Sequence, residues 1–108
     1  MKAERRKGAA GELEAIALIR DAGWSGARRT HDGRSQSGRG DVAGGPAGVH
    51  VEIKRQERLN VPAALAQVRA DADPLDVPLL VHRPSRSPWM VTLPFADLLP
   101  LLALRERG

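Results

Sequence analysis

The sequence predicts an α/β domain with a central mixed sheet of about four to five strands flanked by helices. Three observations lead there. The opening segment is rich in Ala, Glu, Leu and Arg, which suits a helix. Val49-His50-Val51-Glu52-Ile53-Lys54 alternates apolar and polar side chains with the period of a strand. Helical and strand-like stretches also interleave along the chain instead of separating into two halves.

The first helix is expected from Ala3 to about Ala22. At about 100° per residue, Ala9, Leu13, Ile16, Ile19 and Gly23 share a stripe that should face the core. Glu12 falls on the edge of that stripe and Glu14 on the solvent side. Gly23 closes the helix as a C-terminal cap. Ala27 to Thr30 reads as a short strand, followed by a polar Gly/Ser-rich loop from His31 to Gly40. Asp41-Val42-Ala43 and Val49–Lys54, joined by Gly44-Gly45-Pro46-Ala47-Gly48, are expected to pair as a hairpin.

A second helix should start at Asn60 as N-cap, with Pro62 in its first turn and Val61, Leu65 and Val68 on one face. It ends near Asp73-Pro74. Leu79–His82 and Trp89–Thr92 are two further strands. The tail from Phe95 to Arg107 is helical in character, and Pro100 is expected to split it into two short helices. No repeat and no linker is evident, so residues 1–108 read as a single domain.

Composition narrows the function. With no Cys, neither a disulfide framework nor a thiolate zinc site is possible. Two Trp, one Phe and no Tyr are too few for a surface that stacks successive bases. No apolar run is long enough to cross a bilayer and no signal-peptide core follows the basic start, so a soluble, intracellular protein of the cytoplasm is expected. The net charge is +4, and of 17 basic side chains three are Lys, which leaves 14 Arg. Arg presents a planar fork that matches phosphate oxygens, so a polyanion is the natural partner. Genomic base bias is the alternative source of so Arg- and Ala-rich a composition.

Residues two apart on a strand lie roughly 6.5–7 Å apart on one face. His50, Glu52 and Lys54 therefore share the face opposite Val49, Val51 and Ile53. Taken alone, this is an ordinary strand with solvated charges. Asp41 changes the reading, because pairing of the two strands brings its carboxylate towards Glu52. Two carboxylates held together repel unless a cation lies between them, and hard oxygen ligands suit Mg²⁺, with Mn²⁺ as substitute. A Lys on the same face can orient water or neutralise charge on a phosphate.

The array Asp41…Glu52-Ile53-Lys54 resembles the signature of the PD-(D/E)XK nuclease superfamily. The opening Arg6-Lys7-Gly8-Ala9-Ala10-Gly11-Glu12 resembles the first helix of the archaeal and phage Hjc-type Holliday junction resolvases. Lys7-Gly8, Glu12 and Gly23-Trp24 match that family's basic start, helix-borne Glu and Gly-aromatic helix end. Arg28 or Arg29 matches an Arg opening the next strand, and Ser37, or less well Ser35, a Ser ahead of the catalytic Asp. The resemblance spans about Arg6 to Leu80. It departs where Gly40 rather than Pro precedes the Asp, and the Pro-rich stretch after Val81 does not align.

The resemblance implies a restriction-endonuclease-like core and a divalent-metal site. Asp41, Glu52 and the main-chain carbonyl of Ile53 would bind the metal, and Glu12 would bind through water or to a second ion. Lys54 would position the attacking water and stabilise the pentavalent phosphorane. Arg5, Arg6, Lys7, Arg28, Arg29, Arg34, Arg39 and Arg55 are the candidate DNA contacts. The implied activity is magnesium-dependent, structure-selective cleavage of four-way DNA junctions. Other DNA substrates (flap, mismatch, restriction-type) and a catalytically idle DNA-binding module are the alternatives. Gln67 resembles helical Gln residues of some superfamily branches, though without their Tyr. His31 and His82 read as surface or satisfied residues, and Trp24 and Trp89 as packing at element ends. His50 shares the face of Glu52.

In the tail, Phe95, Leu98, Leu99 and Leu102 form one apolar face that Leu101 and Leu104 widen beyond what a small sheet can cover. A homodimer through a surface including this segment is expected, and two-fold symmetry matches the two strands of a junction.

Overall fold

In the computed structural model of the chain, the backbone is described for residues 2–30 and 40–108 and the side chains for 8–30 and 40–108. Helix α1 (Lys2–Asp21) is followed by β1 (Arg28–Arg29), β2 (Val42–Ala43), β3 (Val49–Arg55), α2 (Val61–Asp71), β4 (Val77–Arg83), β5 (Met90–Thr92) and α3 (Phe95–Arg107). The element order is the one expected from sequence, and the domain is α/β.

The caps follow from local chemistry. Gly23 has φ +125°, and the N–H groups of Gly23 and Trp24 donate to the carbonyls of Arg20 and Ile19. That is a Schellman closure, which a glycine reaches at little steric cost. Asn60 accepts from the Ala63 N–H through its side chain, and Pro62 sits in the first turn of α2, where its missing N–H costs nothing.

Among the described residues the strands form two sheets instead of one. β3, β4 and β5 make a mixed three-stranded sheet: β3 and β4 are parallel, with Val51 beside Leu79 and Ile53 beside Val81, and β4 and β5 are antiparallel. β1 and β2 form a small antiparallel pair. Helix α2 is the crossover that the parallel β3–β4 pair requires.

The expected hairpin between residues 41–43 and 49–54 does not form. β2 pairs with β1, and the approach to β3 is a parallel bridge between Gly40 and Val51. The physical reason lies in the connecting turn, where Gly44 and Gly48 both take positive φ, +73° and +76°, and send the chain round to rejoin in parallel. The bridge still lays the two sheets side by side.

The core is Ile16 and Ala15 from α1, Ala27, Val42, and Val51 and Ile53 from β3, with Ile19, Leu79, Val81 and Trp89 packed against it. Leu80 and Val68 are buried separately, where α2 lies against β4. Helix α1 is rotated from its expected orientation. Gly11 and Ala15 are buried while Leu13 is 51% exposed and Gly23 lies outside the core. Gly11 explains this: a Cβ there would stand 2.6 Å from Cβ of Arg55, so only glycine lets the helix settle so closely on β3. Glu12, which lies between Ile16 and Ile19 on the helical wheel, is thereby turned towards the sheet and is half-buried. Glu14 is not simply solvated, since its carboxylate meets Arg83 at 2.7 Å and is held below the usual carboxylate range by that guanidinium. Arg83 in turn lies over the Trp89 ring, 5.3 Å from its centre.

The tail also departs from expectation. α3 is one helix with Pro100 inside it. Pro100 is its sixth residue, so the helix loses the hydrogen bond to the Ala96 carbonyl, and both turns around that gap persist. No residue of α3 is buried. No helix among the described residues is long and apolar enough to cross a membrane.

The rotation of α1 sets a measurable order. Ile16→Ala, at a fully buried position, should lower unfolding free energy by about 2–5 kcal/mol. Leu13→Ala should cost less than about 1 kcal/mol. Urea unfolding of both variants checks this, and an inverted order would return the helix to the orientation read from sequence.

Candidate active site around Asp41 and Glu52

Asp41 is 8% exposed and is held to β3 on two rungs. Its N–H donates to the Val51 carbonyl at 2.7 Å, and its Oδ2 accepts from the Ile53 N–H at 2.7 Å. The carboxylate thus continues, with a side chain, the ladder that the backbone bridge begins. Thr30 fixes the approach to this point: its N–H donates to the Asp41 carbonyl at 3.1 Å and its hydroxyl to the Gly40 carbonyl at 2.9 Å.

Gly40 is demanded by this geometry. Its φ is +74°, and a Cβ would run into the Val51 carbonyl oxygen and come within 2.9 Å of His50 Nε2. The residue preceding the Asp is therefore glycine for a backbone reason.

Two more acids face the same region. Glu52 lies on the strand between Val51 and Ile53, and its Oε1 is 2.9 Å from Nε2 of the buried His50. Glu12, from α1, accepts at Oε2 from Nε of Arg29 at 2.6 Å. Burial pushes the Asp41 carboxyl up from 3.8 to about 7. The Ile53 N–H opposes that rise, and the negative charges of Glu52 and Glu12 add to it. Lys54 occupies the next same-face row after Glu52, half-buried, and forms no ion pair with another described residue.

The structure thus brings Asp41, Glu52, Glu12, Lys54 and Ile53 into one region. Arg29 belongs there too, though as the partner of Glu12. Arg28 is exposed and bonds the Gly26 carbonyl at 3.2 Å. Arg55 lies beneath Gly11, with its guanidinium on Ser85 Oγ at 2.9 Å and on Glu57 at 3.4 Å. Gln67 is engaged along its own helix by Asp71 at 3.0 Å, and His82 meets Thr92 at 2.9 Å. The side chains of Arg5, Arg6 and Lys7, and all of His31, Arg34, Ser35, Ser37 and Arg39, lie outside the described residues.

His50 and Thr30 were not placed in the site by sequence. The alternation His50-x-Glu52 was a signal for the first, because it sets the two side chains on one face. Nothing in the sequence distinguishes Thr30, whose role depends on where Gly40 returns.

Whether this donor set suits a cation turns on its chemistry. A buried carboxyl whose proton affinity is raised by its burial and by the charges of Glu52 and Glu12 is a group that a cation would relieve. As they stand, Glu12 is held by Arg29 and Glu52 by His50, and among the described residues no three His, Asp or Glu side chains converge closely enough to hold a metal ion. Ligation therefore requires Glu12 or Glu52 to change rotamer. Comparison with family models, with characterised proteins and with solved structures gave no match.

The Asp41 environment predicts a pH dependence. Between about pH 4 and pH 7 the folded chain retains a proton that the unfolded chain has released. The contribution of Asp41 to stability is thus fully present at acidic pH and declines as pH rises to about 7. Asp41→Asn keeps an acceptor for the Ile53 N–H and should remove that decline, melting above wild type at pH 8 without added metal. Thermal melts of both proteins from pH 4 to 8 test this; parallel profiles would contradict it.

Proposed function

We propose that this chain is a divalent-metal-dependent endodeoxyribonuclease with a restriction-endonuclease-like core, acting on four-way DNA junctions. The observation that carries the reading is the buried Asp41 carboxylate, fixed on the Ile53 N–H beside Glu52 and Glu12, with Lys54 one row further along the strand. Isolated charges on a solvated strand would not raise a carboxyl to about 7.

On this reading Asp41 and Glu52 bind the metal, with the Ile53 carbonyl and Glu12 as further ligands. A bound Mg²⁺ supplies charge stabilisation to a phosphodiester and makes a water more acidic. Cation binding is competitive with protons at Asp41, so affinity rises with pH towards and above 7. Lys54 holds the attacking water and offsets charge developing on the phosphate. Arg28 and Arg29 contact the DNA backbone, Arg29 through terminal nitrogens that Glu12, bound at Nε, does not take. Phosphate contacts of this kind position DNA by shape without reading its sequence. Two copies of the chain would match the two strands to be cut.

A second reading is a DNA-binding module without catalysis. The engagement of Glu12 by Arg29 and of Glu52 by His50 favours it, since both acids already have partners.

One experiment separates them. The protein with Mg²⁺ is incubated with a labelled immobile four-way junction, a flap and a linear duplex. Symmetric paired nicks in the junction alone are expected, and Asp41→Asn or Glu52→Gln should abolish cutting while leaving junction binding largely intact. Cutting that survives either change would remove the metal site. Cleavage of flap or duplex instead moves the substrate, and tight binding with no cleavage selects the second reading.

A further inference from the structure

Glu12 and Glu52 both have partners already, and the two partnerships are unlike in kind. Arg29 reaches Glu12 from another element, with its own side chain 43% exposed. His50 reaches Glu52 from two residues back on the same strand, with its side chain 3% exposed. An ion pair between long side chains near the surface holds loosely. The His50–Glu52 contact is instead set by the pleat of β3, which puts both side chains on one face.

The ring of His50 is confined on two sides. A Cβ on Gly40 would stand 2.9 Å from Nε2, so the ring fills the place that this glycine leaves open. Nε2 lies 2.9 Å from Glu52 Oε1. An ionised carboxylate only accepts, so Nε2 carries the proton of this bond, and the second carboxylate oxygen is left with its full capacity. Glu52 also lies close enough to Asp41 for a hydrogen bond between the two side chains to help raise the Asp41 carboxyl. His50 thus holds Glu52 beside Asp41 without exhausting it as a ligand.

We propose that His50 is a positioning residue of this site: it pins Glu52 through Oε1, so that the second oxygen stays available beside Asp41 for a divalent cation, and Glu12, released by Arg29, is the acid that changes rotamer. The inference rests on the divalent-metal reading given above. His50 touches neither cation nor substrate and acts only through Glu52. A carboxylate held in place beforehand needs no reordering when a cation arrives. The His50 contact is then part of the cation site and not a competitor for Glu52.

The test is the Mn²⁺ affinity of the full chain by isothermal titration calorimetry, below the melting temperature of every variant. His50→Leu removes the donor, and His50→Asn stays polar but is too short to reach Glu52. Each should weaken binding about ten- to a hundredfold, whereas His50→Gln, which offers an amide N–H in place of Nε2, should stay within about threefold of wild type. Crystal structures of the metal-free variants add a readout independent of the cation. Glu52 should leave its rotamer in His50→Leu and His50→Asn and keep it in His50→Gln. A role confined to packing would lower the melting temperatures and leave the affinity of the folded chain unchanged, which overturns the inference. Equal weakening by all three substitutions overturns it too. A wild-type chain that binds no Mn²⁺, or an Asp41→Asn chain that binds it as tightly as wild type, overturns instead the reading on which the inference rests.

Discussion

The hydrogen bond from the Ile53 N–H to the Asp41 carboxylate, 2.7 Å long and buried, is the constraint on which the rest of the site depends. With the Asp41 N–H on the Val51 carbonyl, it joins the small β1–β2 pair to the main sheet where the backbone ladder alone has a single bridge. A charged acceptor in such a place is stronger than a neutral one. It is also costly to leave ionised in so buried a place, and more so next to two other acids, which explains why the proton affinity of Asp41 climbs into the neutral range. Structural tie and electrostatic tension reside in the same side chain.

The surrounding fold serves that tie. Gly11 lets α1 settle on β3 and turns Glu12 inwards; Gly40 lets the chain pass the Val51 carbonyl. Thr30 closes the ends of the segment between β1 and β2 on each other. On the far side, Arg55, Glu57 and Ser85 bind the end of β3 to the β4–β5 connection, with Ser85 donating through both its N–H and its hydroxyl to Glu57. β3 is thus fixed at the site and again at Arg55 just beyond it, so the Glu52–Lys54 spacing sits on a rigid element.

Much of this was legible in the sequence because it rests on local periodicity. Alternation fixed which residues of β3 share a face, and the Asn60 cap, Pro62 and Gly23 marked helix ends through their own backbone chemistry. The elements that escaped depend on tertiary approach. Helix α1 presents Ala15 and Gly11 to the sheet because small residues allow close packing, and a stripe drawn from large apolar residues alone pointed to Leu13. The hairpin was inferred from a Gly-rich turn, whose positive-φ residues redirect the chain in a way that composition does not encode. Pro100 misled in the opposite sense, since one absent hydrogen bond does not end an otherwise regular helix. At the site, the approach of Asp41 to Glu52 was expected through a hairpin and is reached instead through the parallel Gly40–Val51 bridge, whereas the Arg29–Glu12 and His50–Glu52 partnerships depend on contacts between side chains that sequence leaves open.

Gly40 has a consequence for how such a site can vary. The obstacle to any side chain there is a main-chain oxygen, with His50 only the second neighbour. Shrinking His50 would relieve the lesser conflict and leave the greater one untouched, so no substitution elsewhere rescues a replacement at position 40. A proline at that position is barred as well, because its ring holds φ near −65° while the chain here runs at +74°. Position 40 is therefore held to glycine by the main chain itself, whatever side chain stands at position 50.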